Sequence, residues 1–188
     1  MLTLLLFLGL SFAQPVAIQL KNGSDAEQRK KQELKRILAS YDLSRYTFAY
    51  QVIIDEKAFP HSHPVLTLHN RHLGSDEQLL SSYVHEQVHW YLDAHRAQTE
   101  VAENELRKLY LKVPVGYPEG AQDEESAYLH LIDCYLEMKA DQRLMGAERA
   151  KKVVDFWAGD HYTWVYKTVI RDEKTILGII EKQHLVIN

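Results

Sequence analysis

The sequence predicts one α+β domain, mainly helical with a small sheet. Three observations predict it. Residues 75–113 read as helix former after helix former, with no Gly or Pro before Pro114. A second stretch, Asp123 to Leu144, repeats that character after the turn "PVGYPEG". Two short β-branched and aromatic segments precede them, which suits a small sheet and little more. The chain has 188 residues, 46% of them hydrophobic and 26% charged, which fits a single folded core and excludes a disordered chain. A net charge of −4 without any basic block argues against nucleic acid as a partner.

In chain order, "MLTLLLFLGLSFAQP" reads as a secretory signal peptide. Leu2 to Leu10 form an apolar run too short to span a bilayer, and Ser11 and Ala13 suit cleavage after Ala13. This predicts a secreted or otherwise extracytoplasmic protein, with residues 14–188 as its domain and no stable membrane span. Cys134 is the only cysteine, so no internal disulfide supports the fold, and its apolar setting points to buried packing. "NGS" at Asn22 is a glycosylation sequon.

"QPVAIQLKNGSDAE" reads as a loose polar lead-in. Residues 25–43 predict a charged surface helix with Leu34, Ile37 and Leu38 on its inner side, and Arg29, Lys30 and Lys31 on a solvated face. A strand is expected over Tyr46–Ile54. "KAFPHSHP" is a turn region, and "VLTLHNRH" a second strand. Ser75 with Gln78 forms a capping box that starts the first long helix, on which Leu80, Val84, Val88 and Tyr91 share a stripe. "GAERAKKVVDFW" reads as a shorter helix. "HYTWVYKTVIRD" alternates as a strand or extended segment would, and "EKTILGIIEKQHL" closes the chain as a helix.

The chemistry lies in "YVHEQVHW", residues 83–90. Residues four apart on a helix project from one face, so His85 and His89 can aim imidazole nitrogens at one ion. Glu86 points elsewhere round the helix. It can stand beside a metal-bound water without binding the metal, as a general base. Zinc favours such nitrogens and wants a third protein ligand plus a water. The bland alternative is a solvated helix face with two incidental histidines.

"HEQVH" resembles the metal-binding helix of the zincin metallopeptidases, with conviction over Val65–His89. The resemblance implies that His85 and His89 bind zinc and that Glu86 is the base. It also implies that an edge strand, here "VLTLHNRH", offers its backbone to an extended peptide. The sequence departs from the better-known patterns at the third ligand. Leu92 stands where one pattern needs Gly, and His95, Glu100, Glu103 and Glu105 are expected on the same unbroken helix, out of reach. The ligand should come from the second long helix. There His130, Asp133 and Glu137 form one polar line in an apolar stretch. His130 is the preferred ligand, with Glu137 as the acceptor that orients an imidazole. The competing choice is Glu137 as ligand, in a gluzincin-like arrangement with Asp141.

An oxyanion formed on the attacked carbonyl calls for a donor beyond the ligands, for which His161 is the candidate. Tyr162, Tyr166 and Asn70 are candidate substrate contacts. The function expected is zinc-dependent hydrolysis of a peptide or protein substrate. The alternatives are a secreted zinc-binding or interaction protein with a silent scaffold, and a purely structural helical domain.

Overall fold

A computed structural model describes residues 14–187. Residues 1–13, where the sequence predicts a signal peptide, lie outside them. Among the described residues are three short strands and seven α-helices: β1 (Ala17–Leu20), α1 (Asp25–Ser40), β2 (Gln51–Ile54), β3 (Leu66–Leu68), α2 (Asp76–Ala94), α3 (Arg96–Leu109), α4 (Glu124–Met145), α5 (Ala147–Asp160), α6 (Thr163–Arg171) and α7 (Glu173–Lys182). The architecture is the mainly helical α+β one the sequence predicts. No described helix is long and apolar enough to cross a membrane.

The sheet is parallel, in the order β1-β2-β3. β1 replaces the loose lead-in expected from "QPVAIQL". Four residues leave too little pattern to reveal a strand, and only pairing with β2 defines it. β2 is shorter than the expected Tyr46–Ile54 strand, because Ser44–Tyr46 coil into a single 3-10 turn. The chain between them is held by Gln87 of α2, whose side-chain oxygen accepts from the backbone N–H groups of Phe48 and Ala49 at 2.7 Å each. That bond anchors the metal-motif helix to the sheet side of the core.

α1 begins at Ser24, whose hydroxyl accepts from the Glu27 N–H at 3.2 Å. Its inner face carries Leu34 and Ile37 as expected, but also Lys30, which is 1% exposed. Lys30 therefore leaves the solvated face assigned to it. Its ammonium pairs with Glu33 at 3.1 Å, and burial lowers its pKa against that carboxylate's pull.

α2 starts at the Ser75 cap, where the hydroxyl accepts from the Gln78 N–H. The unbroken helix expected to continue towards Val113 instead ends at Ala94, and α3 starts at Arg96. No Gly or Pro marks the break. The Thr99 hydroxyl donates to the carbonyls of Leu92 and His95, taking up acceptors freed at the helix end. α4 follows its Asp123 cap, whose carboxylate accepts from the Ser126 N–H at 2.7 Å. Glu124 and Glu125 suit the positive end of the helix dipole. α4 is the central helix, packed against α2, α3, α5, α6 and α7. It ends at Gly146, whose φ of +85° is open to glycine at little cost.

Residues 161–172, expected to be extended, contain the helix α6. Val165, Tyr166, Thr168 and Val169 are its buried residues, a helical stripe rather than an alternation. Packing against α4 and α5 overrides the β-branched composition. No side chain caps α6. The Thr163 and Trp164 N–H groups donate instead to the carbonyls of Pro118 and Glu119. The loop before α4 thereby holds the residues that open α6.

The candidate metal centre

α2 and α4 run in opposite directions along a shared face. Ser81, His85 and His89 recur every four residues on α2, and Asp133, Glu137 and Asp141 do so on α4. Ser81 donates to Glu137 Oε1, His85 Nδ1 lies 3.0 Å from Glu137 Oε2, and His89 Nε2 lies 3.3 Å from Asp133 Oδ2. The solvated-face alternative fails, because His85 is 8% exposed, Glu86 5% and His130 5%.

His130 enters from the first half of α4 and completes a triangle. The ring centroids of His85 and His89 are 5.0 Å apart, His85 and His130 5.5 Å, His89 and His130 5.1 Å. Three imidazoles bound to one tetrahedral zinc at about 2.0–2.1 Å would place their centroids about 5 Å apart. One donor atom from each ring lies within 4.8 Å of the others, so the three residues can hold a metal ion. A second set, His85, Cys134 and Glu137, satisfies the same distances and overlaps the first at His85.

The hydrogen bonds decide which nitrogens are free. His130 Nδ1 donates to the Ser126 carbonyl at 2.6 Å, leaving Nε2 as a lone-pair donor. Burial and the nearby His85 charge push its pKa down to about 3, so the ring is neutral. His85 Nδ1 faces Glu137 at 3.0 Å and Asp133 at 3.2 Å, again leaving Nε2. Burial alone would lower the His85 pKa, yet Asp133 and Glu137 outweigh it and hold the ring well above its usual range. Burial, and then the neighbouring His85, depress His89.

The site therefore has more buried carboxyl groups than its own cations satisfy. Asp133 is 0% exposed, and neither of its oxygens has a hydrogen-bond partner, although two imidazoles lie within ion-pair distance. Both Asp133 and Asp141 are pushed well above the carboxylate range, first by burial and then, for each, by the Glu137 charge against other pulls. Orphaned buried oxygens around three converging imidazoles are what a cation would relieve, so the residues fit a metal ion. Cys134 is a poorer donor. Burial drives its thiol up to about 12, and metals bind the thiolate.

A cavity of about 440 Å³ opens over this face, with His85 and Glu86 in its lining. Burial raises the Glu86 pKa to about 7, with Glu137 adding to the effect and His85 opposing it. A carboxyl near neutrality beside a water-accessible space is suited to exchanging protons. His89 instead borders a second hollow of about 360 Å³, shared with His63 and Glu103.

The junction of α5 and α6 supplies the cavity's far wall. His161 lines it, with Nδ1 2.9 Å from Asp160, which also pairs with Arg71. Burial lowers the His161 pKa despite Asp160. Tyr162 has a left-handed backbone, φ +49°, and its ring lies 4.3 Å from that of His130. Tyr166 also borders the cavity, but its hydroxyl donates to Glu137 at 2.8 Å. Its hydroxyl is thus engaged with the carboxylate behind His85.

Asn70 does not join the cavity lining. Its amide points to Glu56 at 3.5 Å, while the neighbours His69 and Arg71 face the cavity. His95 stays away from the centre, with Nδ1 donating to the Tyr91 carbonyl. β3 is the edge strand expected before α2, and one bridge lies on its outer side. The N–H and C=O of Thr67 in β3 already pair with His61 at 2.8 and 3.1 Å, so the segment before β3 occupies its outer side. Sequence reasoning missed Ser81 and Trp157. Trp157 lines the cavity and donates to the Ser81 hydroxyl at 2.9 Å. The only available signal was the position of Ser81 four residues before His85.

Comparison with known proteins finds no matching family model, no matching curated protein and no matching solved structure.

Proposed function

We propose that this protein is an exported zinc-dependent hydrolase that cleaves peptide bonds. His85, His89 and His130 are the zinc ligands, Glu86 is the general base and Glu137 orients His85. The observation that carries this reading is the triangle of imidazoles, two buried and His89 half-buried, 5.0–5.5 Å between centroids, with Glu86 beside it in the cavity lining.

When bound, zinc would acidify a water and polarise the attacked carbonyl. The remaining steps belong to the chain. Glu86 takes the proton of the attacking water and delivers it to the leaving amine. Its pKa near 7 lets it serve in both directions around neutral pH. His161, oriented by Asp160 through Nδ1, is positioned in the cavity wall to donate from Nε2 to the developing oxyanion when its ring is protonated, and Tyr162 stands beside it. The Glu137 carboxylate fixes the His85 ring so that Nε2 faces the ion.

A second reading, a zinc-binding interaction protein without turnover, is favoured by the occupied edge of β3, which denies an extended peptide its backbone partner. Glu86→Gln separates the two. Zinc stoichiometry should be unchanged, while peptide hydrolysis falls by about 10²–10⁴, the usual contribution of a general base. A wild-type protein that binds zinc but cleaves no member of a mixed peptide library would establish the second reading.

A further inference from the structure

Two overlapping donor sets share His85, and only one places Glu137 outside the metal's ligand shell. Which set operates depends on what holds the Glu137 carboxylate. Its two oxygens are both engaged. Oε1 accepts from the Ser81 hydroxyl, and Oε2 accepts from the Tyr166 hydroxyl at 2.8 Å and from His85 Nδ1 at 3.0 Å. Ser81 has a single proton, which it gives to Glu137. Its lone pair accepts from the indole N–H of Trp157 at 2.9 Å, so the hydroxyl cannot turn away without breaking two bonds. All five side chains are buried, where an unmade hydrogen bond is costly.

We propose that Ser81 and Tyr166 are positioning residues that lock Glu137 as the orienting partner of His85, and so direct the metal to His85, His89 and His130 rather than to His85, Cys134 and Glu137. The inference rests on the ligand assignment proposed above and extends it to the residues that enforce it. Neither hydroxyl touches the ion. Each acts through Glu137, one on each oxygen, and together they fix the carboxylate's plane. With either removed, Glu137 can rotate about its side chain towards the ion, and His85 loses its fixed orientation. Trp157 links the lock to the cavity, because the same indole borders the cavity and donates to Ser81. A ligand pressed against that wall would be felt at His85 through three consecutive hydrogen bonds.

The test is cobalt(II) and zinc binding to the purified chain and to Ser81→Ala, Ser81→Thr and Tyr166→Phe. Zinc affinity is read by chelator competition, and coordination by the cobalt absorption spectrum. Wild type should give a four-coordinate cobalt spectrum without sulfur-to-metal charge transfer. Ser81→Ala and Tyr166→Phe should each lose about 10–100-fold in zinc affinity, the range typical of partners that orient a ligand. Ser81→Thr, which keeps the hydroxyl, should recover most of it. A merely structural hydroxyl would lower the thermal midpoint of the metal-free protein and leave the zinc affinity of the folded fraction alone. Tyr166→Phe removes one oxygen only and serves if Ser81→Ala does not fold. Variants that match wild type in affinity and spectrum overturn the proposal, as does a sulfur charge-transfer band in wild type. Wild type that takes up neither metal overturns the ligand assignment itself, and the lock with it.

Discussion

Two buried carboxylate regions in this molecule carry opposite instructions. Glu27, at the start of α1, is fully buried, and its oxygens accept from the backbone N–H groups of Asn22, Gly23 and Glu56 and from the Asn22 amide at 2.7–3.2 Å. Asp133, on α4, is equally buried and accepts none. Burial raises the Glu27 pKa, but the donated hydrogen bonds outweigh it and hold the carboxyl below its ordinary value. At Asp133 burial outweighs the opposing pull of His85 and lifts the pKa. The two carboxylates are equally concealed and differ in the donors that meet them. Glu27 is complete as a structural bolt between the β1–α1 loop and the chain after β2. Asp133 has no such donors, and a cation held by the neighbouring imidazoles could satisfy it.

That contrast can be broken by substitution. The largest effect is expected from His130→Ala, which takes a ligand rather than an orienting group. Zinc affinity should fall by more than the roughly hundredfold limit typical of outer partners, measured by chelator competition. Next comes Asp133→Asn. Zinc affinity should drop by about 10–100-fold, while the metal-free protein gains thermal stability, because a buried group without donors no longer favours a charge. The two readouts moving in opposite directions would sharpen the contrast; a loss in both would break it. Glu27→Ala should do the reverse. It leaves buried N–H groups without an acceptor and should cost about 2–3 kcal/mol in denaturant unfolding, with zinc affinity unchanged. The smallest effect is a pH dependence. The folded-state pKa of Glu27 is depressed below 4.5, so its stabilisation is present above that value and is lost as pH falls through the depressed one. Acid unfolding of Glu27→Gln should show a shallower slope below about pH 4.5 than wild type does.

The sequence made the α2–α4 half more legible than the rest. Ser75 and Gln78 mark one helix start, and Asp123 stands at the cap of the other. On helices of this length, periodicity places side chains well enough to align His85 and His89 with the line of His130, Asp133 and Glu137. What stayed hidden depends on tertiary partners. β1 exists because β2 lies beside it, and α6 is helical because α4 and α5 receive its buried stripe. The break at His95 is closed by the Thr99 hydroxyl, which carries no punctuation in the sequence. Ser81 shares the four-residue spacing of His85 and His89, but nothing in that spacing ties it to Trp157. Their roles appear only when α5 is laid against α2. The pairing of His61 with Thr67 on the outer side of β3 likewise depends on the fold.

The central claim is that three imidazoles from two antiparallel helices share one metal ion. X-ray absorption on the zinc-loaded full chain tests it most directly, combined with elemental analysis of the metal retained after dialysis. The account predicts one zinc per chain, a first shell of nitrogen and oxygen at about 2.0–2.1 Å, and outer scattering from three imidazole rings. Protein that retains no zinc, or a shell containing the Cys134 sulfur, would contradict it.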